Sequence, residues 1–164
     1  MKHSKKVLPP YRNGVGVILL NKENQVFIAR RILPAKKSWQ MPQGGIDDGE
    51  TPEIAAFREL KEEIGTNNAQ VLAESEVWHS YDFPPYLMGK LWNGNYRGQR
   101  QKWFLMRFLG KDTEINVATE HPEFCDWKWI SIKELPALAI SFKRKTYQAL
   151  IDEFRLLAVS AKDE

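Results

Sequence analysis

Between Thr51 and Gly65 the sequence TPEIAAFRELKEEIG specifies a helix at both ends, and no other stretch constrains the fold as tightly. Thr51 can accept from a backbone N–H of the first turn, Pro52 suits the first helical position, and Glu53 complements the positive end of the helix dipole. Gly65 suits the left-handed residue that closes a helix. At about 100° per residue, Phe57, Leu60 and Ile64 form one apolar stripe, which should face a core. Glu59, Glu62 and Glu63, at i, i+3 and i+4, gather on another face. Ala55 and Ala56 lie on that same face one turn upstream, where small side chains would leave room for a ligand. Helical spacing leaves two readings of the glutamates open, a solvated face and a metal site. Like charges at these separations oppose each other by a few tenths of a kcal/mol, and Lys61 falls outside the cluster. A hard divalent cation would neutralise them, its shell completed by water and substrate phosphates.

The flanking segments predict a sheet. VGVILL (15–20) and QVFIAR (25–30) are β-prone runs joined by the turn-like NKEN, as in a hairpin. RILPAKKSWQMPQGGIDDGE reads as a long, irregular loop, and long loops in compact domains are often functional. EVWHSYDF and KWFLMRFLG read as strands with a second long loop between them, DWKWISI as a last strand, and residues 141–157 as a closing helix. The expected architecture is α/β or α+β, a mixed sheet packed with two main helices.

At 164 residues the expectation is one domain over 1–164. With 43% apolar and 27% charged residues the chain has the composition of a folded globular protein. Cys125 is the single cysteine, which excludes an intrachain disulfide and a cysteine zinc cluster. MKHSKKVLPPYRNG has no apolar run of signal-peptide length, and no later segment reaches the ~18 apolar residues that span a bilayer, so the cytoplasm is the expected location and a membrane partner is not expected. The net charge of +3 permits an anionic substrate without demanding one. Basic residues cluster in RRILPAKK, RGQRQK and FKRK, so an acidic patch beside a basic rim is expected. The histidines lack HExxH spacing, no GxSxG occurs, and GGIDDG lacks the Lys-Ser/Thr of a P-loop.

Gly44, then Glu50, Arg58-Glu59, Leu60, Lys61, Glu62-Glu63, Ile64 and Gly65 resemble the Nudix box (44–66) in order and spacing. Chance agreement at ordinary residue frequencies is on the order of 10⁻⁸ per start position. Thr66 departs from the pattern, at a position that packs rather than reacts. The resemblance implies the Nudix fold, a mixed sheet between helices with a loop–helix–loop catalytic motif. It further implies that Glu59, Glu62 and Glu63 bind Mg²⁺ or Mn²⁺ and help activate water against a phosphoanhydride. Arg58 and Glu50 are implied as an orienting pair, and Gly44 as a close approach of backbone to metal. WQMPQGGID, YDFP, YRGQRQKWFLMRFLG, PEFCDWKWIS and SFKRKTY are similar to the subfamily of dinucleoside polyphosphate hydrolases and bacterial RNA pyrophosphohydrolases. Through that likeness Glu123 is implied as a further metal ligand or base, and Tyr81 as an aromatic that stacks on adenine.

The residues expected to neutralise a phosphate chain are Arg30 or Arg31, Lys36, Arg100, Lys102 and Lys143, with Tyr147 as a hydrogen-bond donor and Gln43 and Trp39 shaping the site. The expected substrates are dinucleoside polyphosphates such as diadenosine tetraphosphate, cut asymmetrically, and the triphosphorylated 5′ end of RNA. A catalytically inactive Nudix-fold module that binds nucleotide or RNA is the alternative, against which the intact carboxylates argue. Protein partners are not specified by the sequence.

Overall fold

The computed structural model describes residues 7–32 and 38–160. Its centre is a parallel pair, β1 (Tyr11–Leu20) and β7 (Gly98–Phe108), in register from Tyr11 opposite Gly98 to Leu20 opposite Arg107. Residues 14–20 are all buried, which is why that stretch reads as a continuous apolar run rather than an alternation. Gly16 is required here by close approach, since a Cβ would lie 2.5 Å from three atoms of the Trp103 ring in the neighbouring strand.

The hairpin expected from the sequence forms, with β2 (Val26–Arg31) antiparallel to β1 at Leu20 and Val26. The long loop that follows contains two short strands, β3 (Trp39–Gln40) on β2 and β4 (Gln43–Gly45) on β1. Both are too short to show a period. After α1 (Pro52–Ile64) come β5 (Ala69–Glu74), absent from the sequence reading, and β6 (His79–Asp82), both antiparallel to β7. β8 (Phe124–Ile130) pairs with β2. A short helix α2 (Leu135–Leu138) and a single turn at Ser141–Lys143 lead into α3 (Arg144–Ser160). The described strands form one mixed sheet.

Each sheet face carries its own core. On one side Leu60 and Ile64 of α1 pack with Val15, Val17, Phe104 and Met106. Burying each aliphatic side chain contributes about 1.5–3 kcal/mol. On the other side Tyr147, Leu150 and Phe154 of α3 cover Ile18, Ile28, Trp103 and Leu105. A mixed sheet lies between helices, as expected. Both ends of α1 also follow the sequence: Thr51 Oγ1 accepts from Ile54 N at 3.3 Å, and Gly65 takes φ +81°. Ala55 and Ala56, however, are fully buried among the core residues and leave no room for a ligand. Their small size lets the helix approach the sheet closely. No helix among the described residues is long and apolar enough to cross a membrane.

Candidate active site

β4 hangs beside the first half of β1, with Gly14 opposite Gly45 and Gly16 opposite Gln43, and α1 packs over both strands. The helix thereby brings Glu59 against the β4 backbone. A Cβ on Gly44 would fall 1.9 Å from the Glu59 carboxylate carbon, so any side chain there would displace that carboxylate from the β4 backbone. One turn on, Glu63 is buried; its Oε2 accepts from Gln43 N at 3.2 Å, and its Oε1 has no partner among the described residues. Desolvation raises the Glu63 pKa well above the usual carboxylate range, and the charges of Glu123 and Glu59 add to the rise. Burial also raises the Glu59 pKa, against the pull of Arg58.

Arg58 organises the loop in front of the helix. Its Nε donates to Glu50 Oε2 at 2.7 Å and its Nη2 to Glu50 Oε1 at 2.8 Å and to the Gly45 carbonyl at 2.9 Å. Its Nη1 reaches Glu59 at 2.9 Å and Glu62 at 3.2 Å.

Two adjoining cavities meet at these carboxylates. One, of about 390 Å³, is lined by Glu59, Glu62, Glu63, Glu120, His121 and Glu123 together with Lys61 and Thr119. The other, of about 350 Å³, combines Arg12, Arg31 and Lys143 with Trp39, Phe83, Trp92 and Phe142. Glu59 and Glu123 line both.

Among the described residues no three acidic or imidazole groups converge closely enough to form a closed metal cage. Uncompensated carboxylates repel, and Arg58 draws Glu59 and Glu62 toward itself. The donor set nonetheless suits a hard divalent cation: oxygen ligands only, one of them a buried, unpartnered carboxylate oxygen beside two further negative groups.

The remaining expected residues divide. Gln43 and Lys143 line the basic cavity, where Lys143 Nζ donates to Gln40 Oε1 at 2.9 Å. Burial first, and Arg31 second, lowers the Lys143 pKa to about 7. Strand alternation turns Arg31 into the cavity, where its Nη1 also reaches Gln40, whereas Arg30 lies against the Trp39 ring outside it. Tyr81 is 7% exposed and packs on Phe83 and Phe142, so only a small part of it borders the cavity and no open face is left for a base. Its hydroxyl receives bonds from Gln99 and Gln43, and burial raises its pKa to about 12.

Tyr147 is core: its ring packs edge-on against Trp103 and its hydroxyl accepts from Met41 N at 3.0 Å. Lys102 points elsewhere, bonding the Glu76 carbonyl at 3.5 Å, and Arg100 covers Trp78. Lys36 lies outside the described residues. Arg12, Gln40, Phe142 and Trp92 are cavity residues that the sequence reading missed. Phe142 was within reach, being the neighbour of Lys143 in the SFKRK stretch.

The Nudix-domain family model matches residues 10–150. The chain belongs to the Nudix family. It is 56% identical to the RNA pyrophosphohydrolase of Rickettsia prowazekii (strain Madrid E) over 90% of this chain and 92% of that protein. It is 55% identical to the RNA pyrophosphohydrolase of Rickettsia canadensis (strain McKiel) over 92% and 94%. Among solved Nudix-like structures, an Ap4A hydrolase from C. elegans in a binary complex superposes with a TM-score of 0.59 at 17% identity, covering 84% of this chain and 94% of that one. The E. coli dihydroneopterin triphosphate pyrophosphohydrolase gives 0.64 at 19%, covering 85% and 96%. These structural likenesses carry the fold alone. Nudix hydrolases generally use divalent metal ions.

Proposed function

We propose that this Nudix hydrolase removes pyrophosphate from triphosphorylated 5′ ends of RNA and also splits dinucleoside polyphosphates, with Mg²⁺ or Mn²⁺ as cofactor. The observation that carries the reading is the shared wall of the two cavities: Glu59 and Glu123 belong at once to the carboxylate cavity and to the basic, aromatic one. A phosphate chain with a nucleoside at one end matches that pairing of chemistries. The relatives named RNA pyrophosphohydrolase support the RNA arm.

Glu59, Glu62, Glu63 and Glu123 would hold the cation, with the Gly44 backbone alongside. When bound, the cation makes water a better nucleophile and neutralises phosphoryl oxygens. The residues do the rest. Arg58 fixes the direction of the Glu59 and Glu62 carboxylates through Nη1 and anchors them to the loop through Glu50 and Gly45. Lys143 and Arg31, converging on Gln40, face the phosphate chain with positive charge. Trp92 and Phe142 offer aromatic surface to a base, where stacking contributes about 1–3 kcal/mol. A glutamate of the set takes a proton from the water, the water oxygen bonds to the α-phosphorus, and the bond from that phosphorus to the bridging oxygen breaks; pyrophosphate leaves with its electrons and RNA keeps a 5′ monophosphate.

The test is a side-by-side kinetic comparison of 5′-triphosphorylated RNA, diadenosine tetraphosphate and nucleoside triphosphates, with products identified. Pyrophosphate and monophosphorylated RNA from the first, and a mononucleotide plus a triphosphate from the second, are expected. Activity confined to free nucleoside triphosphates would overturn the reading.

A further inference from the structure

We propose that Trp92 is a positioning residue: the loop that carries it presses its indole onto Arg12 and holds that guanidinium against β4, ready for the phosphate chain. This loop, between β6 and β7, is closed at its neck. Asp82 accepts from the Tyr11 hydroxyl and, at 2.8 Å, from Arg97 Nη2. Phe83 N donates to the Arg97 carbonyl at 2.8 Å, and Arg97 Cζ lies 4.7 Å from the Tyr11 ring centroid. Above the neck Phe83, Leu87, Leu91 and Trp92 line the basic cavity. Arg12 follows Tyr11 on β1, so the neck of the loop and the cation its wall covers belong to consecutive residues.

The backbone of that wall is left-handed over three residues in a row, with φ +47° at Trp92, +55° at Asn93 and +74° at Gly94. Glycine adopts this region freely and asparagine tolerates it, whereas a residue with a bulky ring seldom does. Sparsely populated backbone conformations persist only where the surroundings hold them, and they gather at functional sites. Phe83 packs on the indole at 5.3 Å and Tyr96 edge-on at 6.0 Å, while Arg12 Cζ stands 4.7 Å from the Trp92 ring centroid. The same guanidinium abuts β4, since a Cβ on Gly45 would lie 2.3 Å from Arg12 Nη2. Gly45 adjoins Gly44, against which Glu59 lies, so the cation is held beside the carboxylate centre. Among the described residues no carboxylate pairs with Arg12, which leaves its N–H groups to phosphate oxygens. Fixing a long side chain before the ligand arrives removes an ordering cost from binding.

The inference deepens the proposed function and rests on its phosphate-chain reading. Trp92 is 38% exposed, so a base could also meet the ring, and a probe without a base separates the two roles. Binding of methylenebisphosphonate, a pyrophosphate analogue with no anhydride bond, is measured by calorimetry with Mg²⁺ on the full chain. Trp92→Leu should weaken its Kd by about tenfold, which corresponds to about 1.4 kcal/mol and is of the size of a partly desolvated cation–ring contact. Trp92→Phe should keep most of the affinity. In an Arg12→Ala background Trp92→Leu should have no further effect, a result that loss of loop structure alone does not give. Trp92→Gln carries the same comparison should Trp92→Leu fail to fold by circular dichroism.

An unchanged Kd in the folded variants, an equal loss with and without Arg12, or no binding of the probe by the natural chain would overturn the positioning role. Pyrophosphate release from triphosphorylated RNA by the natural chain, followed in parallel, reports on the proposed reaction separately. Its absence would remove that reaction, and the binding comparison would still decide whether Trp92 acts through Arg12.

Discussion

Arg58 grips Glu50 through two bonds, 2.7 Å from Nε and 2.8 Å from Nη2, while the third nitrogen of the same guanidinium holds Glu59 and Glu62. One cation therefore ties the loop before the helix to the carboxylates on it. The grip of Arg58, reinforced by the Asp47 N–H, holds the Glu50 pKa down to about 2.

Glu50→Gln should release part of that grip and leave Arg58 to lean further on Glu59 and Glu62. Loss of such a supporting partner typically lowers activity by about 10–100-fold. We expect the fall in kcat rather than KM, measured by steady-state kinetics on RNA. The stabilising share of the pair should be complete above about pH 4.5 and disappear as pH falls toward 2, because the folded pKa is the lower one. The stability gap between natural chain and variant, followed by denaturant unfolding, should close over that interval.

Glu63→Gln preserves shape and the acceptor for Gln43 N while removing a buried negative charge. Turnover under saturating Mg²⁺ or Mn²⁺ should drop by several orders of magnitude, with an unfolding temperature no lower than that of the natural chain. Near-normal turnover would rule Glu63 out of the centre.

Lys143 should take up a proton when a phosphate chain binds. Its pKa of about 7 leaves it largely neutral in the free site at pH 8, and an anion beside it favours the charged form. Calorimetry at pH 8 in buffers of different ionisation heat should register that uptake, and Lys143→Met should abolish it. The sign for stability is opposite to that of Glu50. With a folded pKa below the ordinary 10.5, burial opposes folding fully below pH 7, and the opposition fades as pH rises to 10.5. At pH 7 Lys143→Met should therefore be more stable by a few kcal/mol, measured by denaturant unfolding; Gln40 Oε1 keeps its bond from Arg31.

Two glycine substitutions should fail in different ways. Gly16→Ala drives a methyl into the Trp103 ring and should cost about 1–3 kcal/mol of stability. Gly44→Ala pushes instead on the Glu59 carboxylate, a side-chain end that can move, and should chiefly abolish turnover. Thermal melts paired with kinetics distinguish them; a Gly44→Ala enzyme of normal activity would show that Glu59 does not need its close approach to β4.

Local chemistry explains which features were legible in the sequence. The caps of α1, its stripe of Phe57, Leu60 and Ile64 and the β1–β2 hairpin depend on neighbours within a few residues, and all appear as expected, with Phe57 only partly buried. Ala55 and Ala56 were misplaced because small residues suit either a ligand pocket or a tight helix–sheet contact, and only packing decides. Arg30 and Arg31 differ by one step of strand alternation, so an uncertain register could not choose between them. Tyr81 and Tyr147 bear polar groups that look available in a sequence, yet their hydroxyls are satisfied inside the fold. Arg12, Gln40 and Trp92 reach the cavity from separate strands and a loop, which no linear pattern announces.

The long parallel register between Tyr11–Leu20 and its partner beginning at Gly98 has a kinetic consequence. The strands cannot meet until most of the intervening chain has been gathered, and such distant pairings slow the search for the native state. β4 and α1 dock on the first of them, and β6 hangs from the second. A chain emerging from the ribosome will therefore lack a working centre until synthesis has passed the second strand, and activity should arise in one late step during translation.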